Sequence, residues 1–295
     1  MPVVIIINPV AGGRRGSLPP GQRVELVERA LERHHLTGRV ELTRAAGHGR
    51  ELARQAVSDG ATLVVAWGGD GTINEVASQL VGTGTTLGIV RAGSGNGLAR
   101  ELGIPAKPGQ AFEIALAGHE RAIDVGEIDG HPFLNVAGIG FDAAMATEFN
   151  SLGGERRGPI RYALHVVRAA FAYPASHYAI EADGRRLDVD ALVVAIANSA
   201  QYGSNVVIAP GARPDDGLLD LVVIEGRGAL GRIGLAPRLF DRTIHKAPGV
   251  TMLTAEHIVV RASSPIRLHV DGEPQVGGSV VEAHIRPAAL RVKVA

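Results

Sequence analysis

The chain has no cysteine, which excludes a disulfide scaffold, thiol catalysis and cysteine-ligated zinc. It also lacks net charge. Thirty basic residues offset 30 acidic ones, which argues against a general electrostatic grip on nucleic acid, and no nucleic-acid partner is expected. Long apolar runs are missing too. Val3–Ile7 is the longest aliphatic run near the N-terminus, and a membrane span needs about 18 residues or more. Met1-Pro2-Val3 carries no cationic lead-in of a signal peptide. A soluble or peripheral protein of the cytoplasm is the expectation. Aromatic residues reach only 4%.

Glycine, by contrast, is abundant, at 39 of 295 residues, and points to tight turns and close backbone approaches of the kind phosphate-binding loops need. Hydrophobic residues at 45% and charged ones at 20% suit a globular chain, and the length exceeds what one core usually holds. The first part alternates strand-like and helix-like stretches. Val3–Ile7, Thr62–Trp67 and Leu87–Arg91 read as buried parallel strands, and Gln22–His35, Thr72–Val81 and Gly97–Leu102 as helices between them. Ligands of such sheets bind at the carboxyl ends of the strands. After Asp124 the texture changes. Asp-Gly pairs at 129–130, 183–184, 216–217 and 271–272 read as hairpin turns between strand-like runs such as Ala191–Ala197, Leu219–Ile224, His257–Ala262 and Pro265–Val270. Helical stretches over Ile160–Tyr173 and about Leu230–Ile244 interrupt them. The expected fold is an α/β domain over 1–124, joined by a returning 287–295, and a mainly antiparallel β-sandwich over 125–286, with the reaction in the cleft between them.

Three glycine loops follow the three strands. They are Asn8-Pro9-Val10-Ala11-Gly12-Gly13, Gly68-Gly69-Asp70-Gly71-Thr72-Ile73-Asn74-Glu75 and Gly93-Ser94-Gly95-Asn96-Gly97. Glycines let backbone N–H groups converge on an anion, and the helix start that follows adds a favourable dipole end. One such loop is only a turn; three in consecutive βα units point to phosphate. The standard alternatives fail on spelling. There is no Gly-x-x-x-x-Gly-Lys-Ser/Thr, Leu98 stands where the dinucleotide motif wants a third glycine, and Ala92 precedes Ser94 where a nucleophile elbow has glycine. The 11 histidines include no His-x-x-x-His pair for zinc.

Taken with Asp215-Asp216-Gly217-Leu218-Leu219-Asp220 and Val270-Asp271-Gly272-Glu273-Pro274, these motifs resemble, in order and over nearly the whole chain, the diacylglycerol kinase catalytic-domain family. That family includes bacterial lipid kinases and sphingosine kinases. The resemblance implies an N-terminal domain similar to those of phosphofructokinases and NAD kinases, a C-terminal β-sandwich, and a last strand, Leu290–Val294, returning to the first domain. It implies an ATP- and Mg²⁺-dependent lipid kinase. Nucleotide contacts carry over to Asn8, Pro9, Val10, Ala11, Gly12, Thr43, Gly68, Gly69, Asp70, Gly71, Thr72, Ile73, Asn74 and Ser94. Asp70, an acid within a phosphate loop, would work through Mg²⁺, although a helix-capping aspartate is an alternative. Glu273 stands where the family has its proton acceptor, and a solvated hairpin tip is the bland alternative. A further metal site carries over to the Asp216 carboxylate with the backbone carbonyls of Arg213 and Leu218.

Gly97 departs from the aspartate common in bacterial diacylglycerol kinases, and the local spelling is closer to sphingosine and ceramide kinases. The acceptor that the resemblance implies is a lipid alcohol, either diacylglycerol-like or sphingoid base-like. Rival readings are a kinase for a soluble acceptor such as NAD and a non-catalytic nucleotide sensor. Peripheral membrane contact is expected through Arg156, Arg157 and Arg161 before Leu164, Val167 and Phe171, or through Arg227, Arg232, Arg238, Arg242 and Lys246. The oligomeric state stays open, a homodimer included.

Overall fold

The computed structural model describes residues 3–12, 18–93, 95–151, 169, 173–203, 205–226 and 234–295. Ser94, Gly13, the Arg156–Phe171 segment (Ala169 apart), and Arg227 and Arg232 lie outside them. The chain divides into two units, Met1–Val125 with Pro287–Ala295, and Gly126–Arg286.

In the first unit β1 (Val3–Ile7), β2 (Gly38–Leu42), β3 (Leu63–Gly68) and β4 (Thr86–Arg91) form a parallel sheet in the order β2-β1-β3-β4. The C-terminal end of β17 (Val280–Val294) adds parallel to β4, pairing Arg291 with Thr86 and Val292 with Leu87. Every residue of β1 and β3 is buried, because helices cover both faces of the sheet and leave no side of a central strand to water. The helices are α1 (Pro20–Arg33), α2 (His48–Ser58), α3 (Asp70–Leu80), α4 (Gly97–Glu101) and α5 (Pro108–Ala117). Trp67 packs edge-on against Phe112 of α5 at 5.2 Å between ring centres. The strand and helix that sequence patterning passes over are β2 and α2. β2 is an edge strand whose Arg39 and Glu41 interrupt any apolar run, and α2 buries only the small face of Gly49, Ala53 and Ala56.

The second unit contains β6 (His131–Phe133), β7 (Val136–Gly140), α6 (Phe141–Ser151), β8 (Ser176–Ala182), β9 (Arg185–Ala197), β10 (Gln201–Gly203) and β11 (Val206–Val207). It continues through β12 (Leu219–Glu225), α7 (Leu235–Phe240), β13 (Val250–Ala255), β14 (His257–Arg261), β15 (Arg267–Val270) and β16 (Glu273–Val276). It also holds the end of β5 (His119–Ile128) and the start of β17. Its pairings are antiparallel. The run Ala191–Ala197 is continuous because β9 is covered on both faces. Val194 and Ile196 enter one apolar cluster, while Val193, Ala195 and Ala197 enter another. The fold is thus a parallel α/β unit and a mainly antiparallel β unit. Among the described residues no helix is long and apolar enough to cross a membrane.

Two local expectations need correction. The helix read over 230–244 is, in its described part, α7 followed by a break and a 3₁₀ turn at Ile244–Lys246. Arg242 adopts φ +62° there, and the Asp241 carboxylate accepts from Thr243 N at 3.0 Å, a local bond that competes with helix continuation. Asp216-Gly217 is not a hairpin turn. Only Gly217 has positive φ, and the pair precedes β12 in a loop whose Asp216 Oδ1 accepts from Leu218 N at 3.2 Å.

The other three Asp-Gly pairs are two-residue turns with positive φ at both positions: +47° and +78° at 129–130, +45° and +82° at 183–184, +48° and +87° at 271–272. Each aspartate also reaches out of its hairpin. Asp129 accepts from Glu282 N, Asp183 from Glu256 N and His257 N, and Asp271 from Leu134 N, Asn135 N and Val136 N. Asp271 has the most to lose. Asp271→Asn keeps the turn preference but offers one oxygen and an opposing NH₂ to three donors. It should cost about 2–4 kcal/mol of unfolding free energy in urea, whereas Asp129→Asn and Asp183→Asn, on exposed turns, should cost under about 1 kcal/mol. Equal losses at all three would refute this ranking.

Candidate functional site

The sequence-predicted nucleotide residues of the first unit lie at the carboxyl ends of its parallel strands. Asn8 follows β1, Thr43 follows β2, Gly68–Asn74 spans the end of β3 and the start of α3, and Gly93 follows β4. Charged side chains hold these loops from behind. Arg23 of α1, almost fully buried, donates to Asn8 O at 2.7 Å, Ala11 O at 2.6 Å and Leu18 O at 2.9 Å. Its guanidinium sits 5.2 Å from the Trp67 ring centre, and burial lowers its pKa from the usual arginine range. Asn8 donates from Nδ2 to the Thr72 hydroxyl at 3.0 Å, joining the first loop to the second.

Asp70 joins the second loop to the third. Its Oδ2 accepts from Asn96 N and its Oδ1 from Gly97 N, both at 2.7 Å, so one carboxylate serves the N-terminus of α4. These bonds are the capping role that was the alternative reading of Asp70, and each oxygen keeps lone pairs beyond the N–H it accepts. Gly95 is required by this approach, since a Cβ there would stand 2.5 Å from Asp70 Oδ2. Asn96 takes φ +54° and donates from Nδ2 to Gly93 O at 2.6 Å, while Arg100 Nε donates to Gly95 O at 2.8 Å. Glu75 turns the other way and accepts from Gly47 N at 2.7 Å and Gly49 N at 2.9 Å at the start of α2.

Three buried polar atoms at this edge have no hydrogen-bond partner among the described residues: Asn74 Nδ2, Arg91 Nε and Asn96 Oδ1. Arg91 was not singled out by sequence, since an arginine closing a strand reads as surface. Burial, and then the charge of nearby Arg100, lowers its pKa from the usual arginine range. Two buried donors without partners, one of them on an arginine close to a second arginine, suit an anion.

In the second unit Glu273 opens β16 beside the Asp271-Gly272 turn, half-buried, and its side chain makes no hydrogen bond or ion pair among the described residues. Asp216 is exposed, Arg213 is exposed and Leu218 is half-buried. Close by, buried Asp220 has its pKa pushed up to about 6, by burial first and then by the Asp216 charge. No group of three or more His, Cys, Asp or Glu among the described residues is arranged for a metal, and a cage of one carboxylate and two carbonyls is of a different kind. An oxygen-only donor set with an uncompensated carboxylate beside it fits a hard cation.

Comparison with known proteins follows the same division. The diacylglycerol kinase catalytic domain matches residues 2–128, and the YegS C-terminal NAD kinase beta sandwich-like domain matches residues 135–294. "Probable lipid kinase YegS-like" of Chromohalobacter salexigens is 31% identical over 271 residues, covering 90% of this chain and 86% of that protein. Its counterpart in Citrobacter koseri is 30% identical over 262 residues, covering 86% and 85%. The crystal structure of a diacylglycerol kinase from Bacillus anthracis str. Sterne superimposes with a TM-score of 0.76 at 19% identity, covering 99% of this chain and 96% of that one, a likeness of fold.

The Asp70 bridge makes a local prediction. Asp70→Asn can accept through one oxygen only, so one of the Asn96 and Gly97 amides loses its partner. Hydrogen exchange at those amides should rise about 5- to 30-fold, while Val76 and Ala77 in α3 stay protected. Unchanged exchange at 96 and 97 would remove Asp70 from the loop framework.

Proposed function

The chain belongs to the diacylglycerol kinase catalytic-domain family of lipid kinases, and from that premise we propose that it transfers the γ-phosphoryl group of ATP to a hydroxyl of a lipid alcohol, diacylglycerol-like or sphingoid base-like. One observation carries the nucleotide half of this reading. The glycine loops are tied to one another by Asn8, Thr72 and Asp70, yet leave Asn74 Nδ2 and Arg91 Nε as buried donors without partners. Phosphate oxygens satisfy both donors and relieve the Arg91–Arg100 repulsion. The orphan Asn96 Oδ1 is an acceptor and suits a nucleotide hydroxyl or amine.

In the transfer, the acceptor oxygen bonds to the γ-phosphorus as the bond to the β-phosphate oxygen breaks and ADP leaves. The hydroxyl proton goes to Glu273, the carboxylate left without a partner beside the Asp271-Gly272 turn. Mg²⁺, when bound, neutralises charge on phosphate oxygens. Asp70 would hold it through its remaining lone pairs, and the Asp216 carboxylate with the Arg213 and Leu218 carbonyls would hold a second ion. For membrane contact, Phe240 is 62% exposed at the end of α7, flanked by Arg238, Arg242 and Lys246, which suits the interface of an anionic bilayer.

The test of the acceptor is phosphoryl transfer from radiolabelled ATP to diacylglycerol, sphingosine and ceramide in phosphatidylcholine vesicles, with NAD as the soluble control. Label on lipid is expected. Label on NAD alone would overturn the lipid reading. Two variants separate proton transfer from nucleotide binding. Glu273→Gln should lower kcat by about 10²–10⁴-fold with nucleotide affinity unchanged, whereas Asp70→Asn should weaken nucleotide binding itself. A fully active Glu273→Gln protein would return that residue to a solvated hairpin tip.

The second metal has a readout independent of activity. A cation on Asp216 favours ionised Asp220, so Mg²⁺ should move the Asp220 titration, followed by carboxyl NMR, downward from about 6. In Asp216→Ala the Mg²⁺-induced shift should vanish. A wild-type titration indifferent to Mg²⁺ would remove the metal from this loop.

A further inference from the structure

The second unit buries a polar chain that the proposed transfer leaves unexplained. His269 of β15 is 3% exposed, and its cross-strand partner on β7 is Gly138. A Cβ at Gly138 would stand 2.4 Å from His269 Nε2 and 2.1 Å from Asp142 Oδ2, so glycine is what lets an imidazole and a carboxylate meet there. Nε2 lies 3.1 Å from Asp142 Oδ2, and the Tyr202 hydroxyl donates to that same oxygen. Burial, then the Asp142 charge, raises the Tyr202 pKa well above its ordinary value and keeps it a donor. On the opposite side of the ring, Gly272 N donates to His269 Nδ1 at 3.1 Å.

Those partners determine the tautomer. An Nδ1 that accepts an N–H is bare, so the single ring proton of neutral His269 is on Nε2 and is donated to Asp142. Gly272 directly precedes Glu273, and the residue before it, Asp271, is held by the amides of Leu134, Asn135 and Val136. The turn is therefore gripped from two directions, at Asp271 by backbone donors and at Gly272 by one imidazole nitrogen.

We propose that His269 is a positioning residue for Glu273: Asp142 and Tyr202 set its tautomer, and its bare Nδ1 holds the Gly272 amide, which fixes the direction of the carboxylate that receives the acceptor's proton. The inference rests on the reading of Glu273 as that proton acceptor. It extends to pH. Protonation of the ring places an N–H on Nδ1 against the N–H of Gly272, and two donors cannot bond. The groups facing the ring are Asp142 from α6, Tyr202 from β10 and Asp271 from the turn. Burial lowers the His269 pKa, but the charges of Asp142 and Asp271 outweigh it, and the pKa lies above the ordinary histidine value of about 6.5. Above the His269 pKa the turn is held from both directions. As pH falls through it the Gly272 amide loses its acceptor while the Asp271 bonds remain, and kcat acquires an acid limb from a group that never touches substrate.

Imidazole ¹⁵N NMR of the wild-type protein, followed upward in pH until the ring is neutral, should find the proton on Nε2 and Nδ1 bare; a proton on Nδ1 of the neutral ring would overturn the proposal without any variant. The kinetic arm uses ATP and diacylglycerol in phosphatidylcholine vesicles. His269→Gln can reach Asp142 but offers Gly272 no acceptor, and should lose about 10- to 100-fold in kcat with KM for ATP unchanged. His269→Asn keeps an acceptor oxygen near the Nδ1 position and should recover most of that loss. It should also lack the acid-limb ionisation above about 6.5. Wild-type kcat in His269→Gln, or a wild-type acid limb in His269→Asn, would refute the role. Should the wild type transfer nothing to this lipid, the acceptor reading fails by itself, and the NMR arm still decides whether His269 holds the turn.

Discussion

Loops at the carboxyl ends of parallel strands carry backbone groups that the sheet no longer pairs, and the candidate site depends on how those groups are held. Filling the loops with side chains would satisfy them and leave no groups for an anion. The first unit instead uses charge from behind: Arg23 takes the carbonyls of Asn8, Ala11 and Leu18, Asp70 takes the amides of Asn96 and Gly97, and Glu75 takes those of Gly47 and Gly49. The signs follow the dipoles, a cation on carbonyls and carboxylates on N–H groups, and charged donors or acceptors make stronger bonds than neutral ones. The glycines at 49 and 95 belong to the same device, because a Cβ at either would stand 2.6 Å or 2.5 Å from the carboxylate that serves it.

The second unit repeats the arrangement in an antiparallel setting. Asp-Gly satisfies the positive φ of a two-residue turn, as Asn-Gly would, but aspartate adds acceptors that tie each turn to another strand. The turn at 271–272 is the most constrained of the three, with its aspartate bonded to three amides and its glycine to an imidazole. These bonds are concentrated on the turn that precedes Glu273, which on the proposed reading of Glu273 is what a proton acceptor held on a hairpin requires.

Periodicity and turn chemistry made the α/β and antiparallel halves legible, because strands buried on both faces are apolar throughout and three of the Asp-Gly turns have the expected conformation. What escaped was either diluted or non-local. Edge strand β2 carries Arg39 and Glu41 where a central strand would be apolar. The Asp216-Gly217 pair is indistinguishable in sequence from its hairpin counterparts, and only the absence of a strand on its N-terminal side sets it apart. Asp142, Tyr202 and His269 come from a helix and two strands far apart in the chain, and no spacing rule links them. The one local trace is Gly138 in an otherwise apolar strand, a sign that something approaches that backbone closely. The site motifs were visible as spellings, but their mechanical side was not: nothing in Gly-Gly-Asp-Gly-Thr says that its aspartate bonds the loop after the next strand.

The electrostatics of the two units are complementary in kind. Net charge is zero, yet the first unit keeps Arg91 beside Arg100 with a buried Nε unsatisfied, and the second keeps Asp220 protonated up to about pH 6 beside Asp216. Each disfavours the folded chain at neutral pH by crowding like charge in a poorly solvated place. An anion relieves the first and a cation the second, and binding to the folded state alone returns that free energy as stability. On the proposed reading the anion is a nucleotide phosphate and the cation a second metal ion. The strain present without these ligands is then part of the affinity for them.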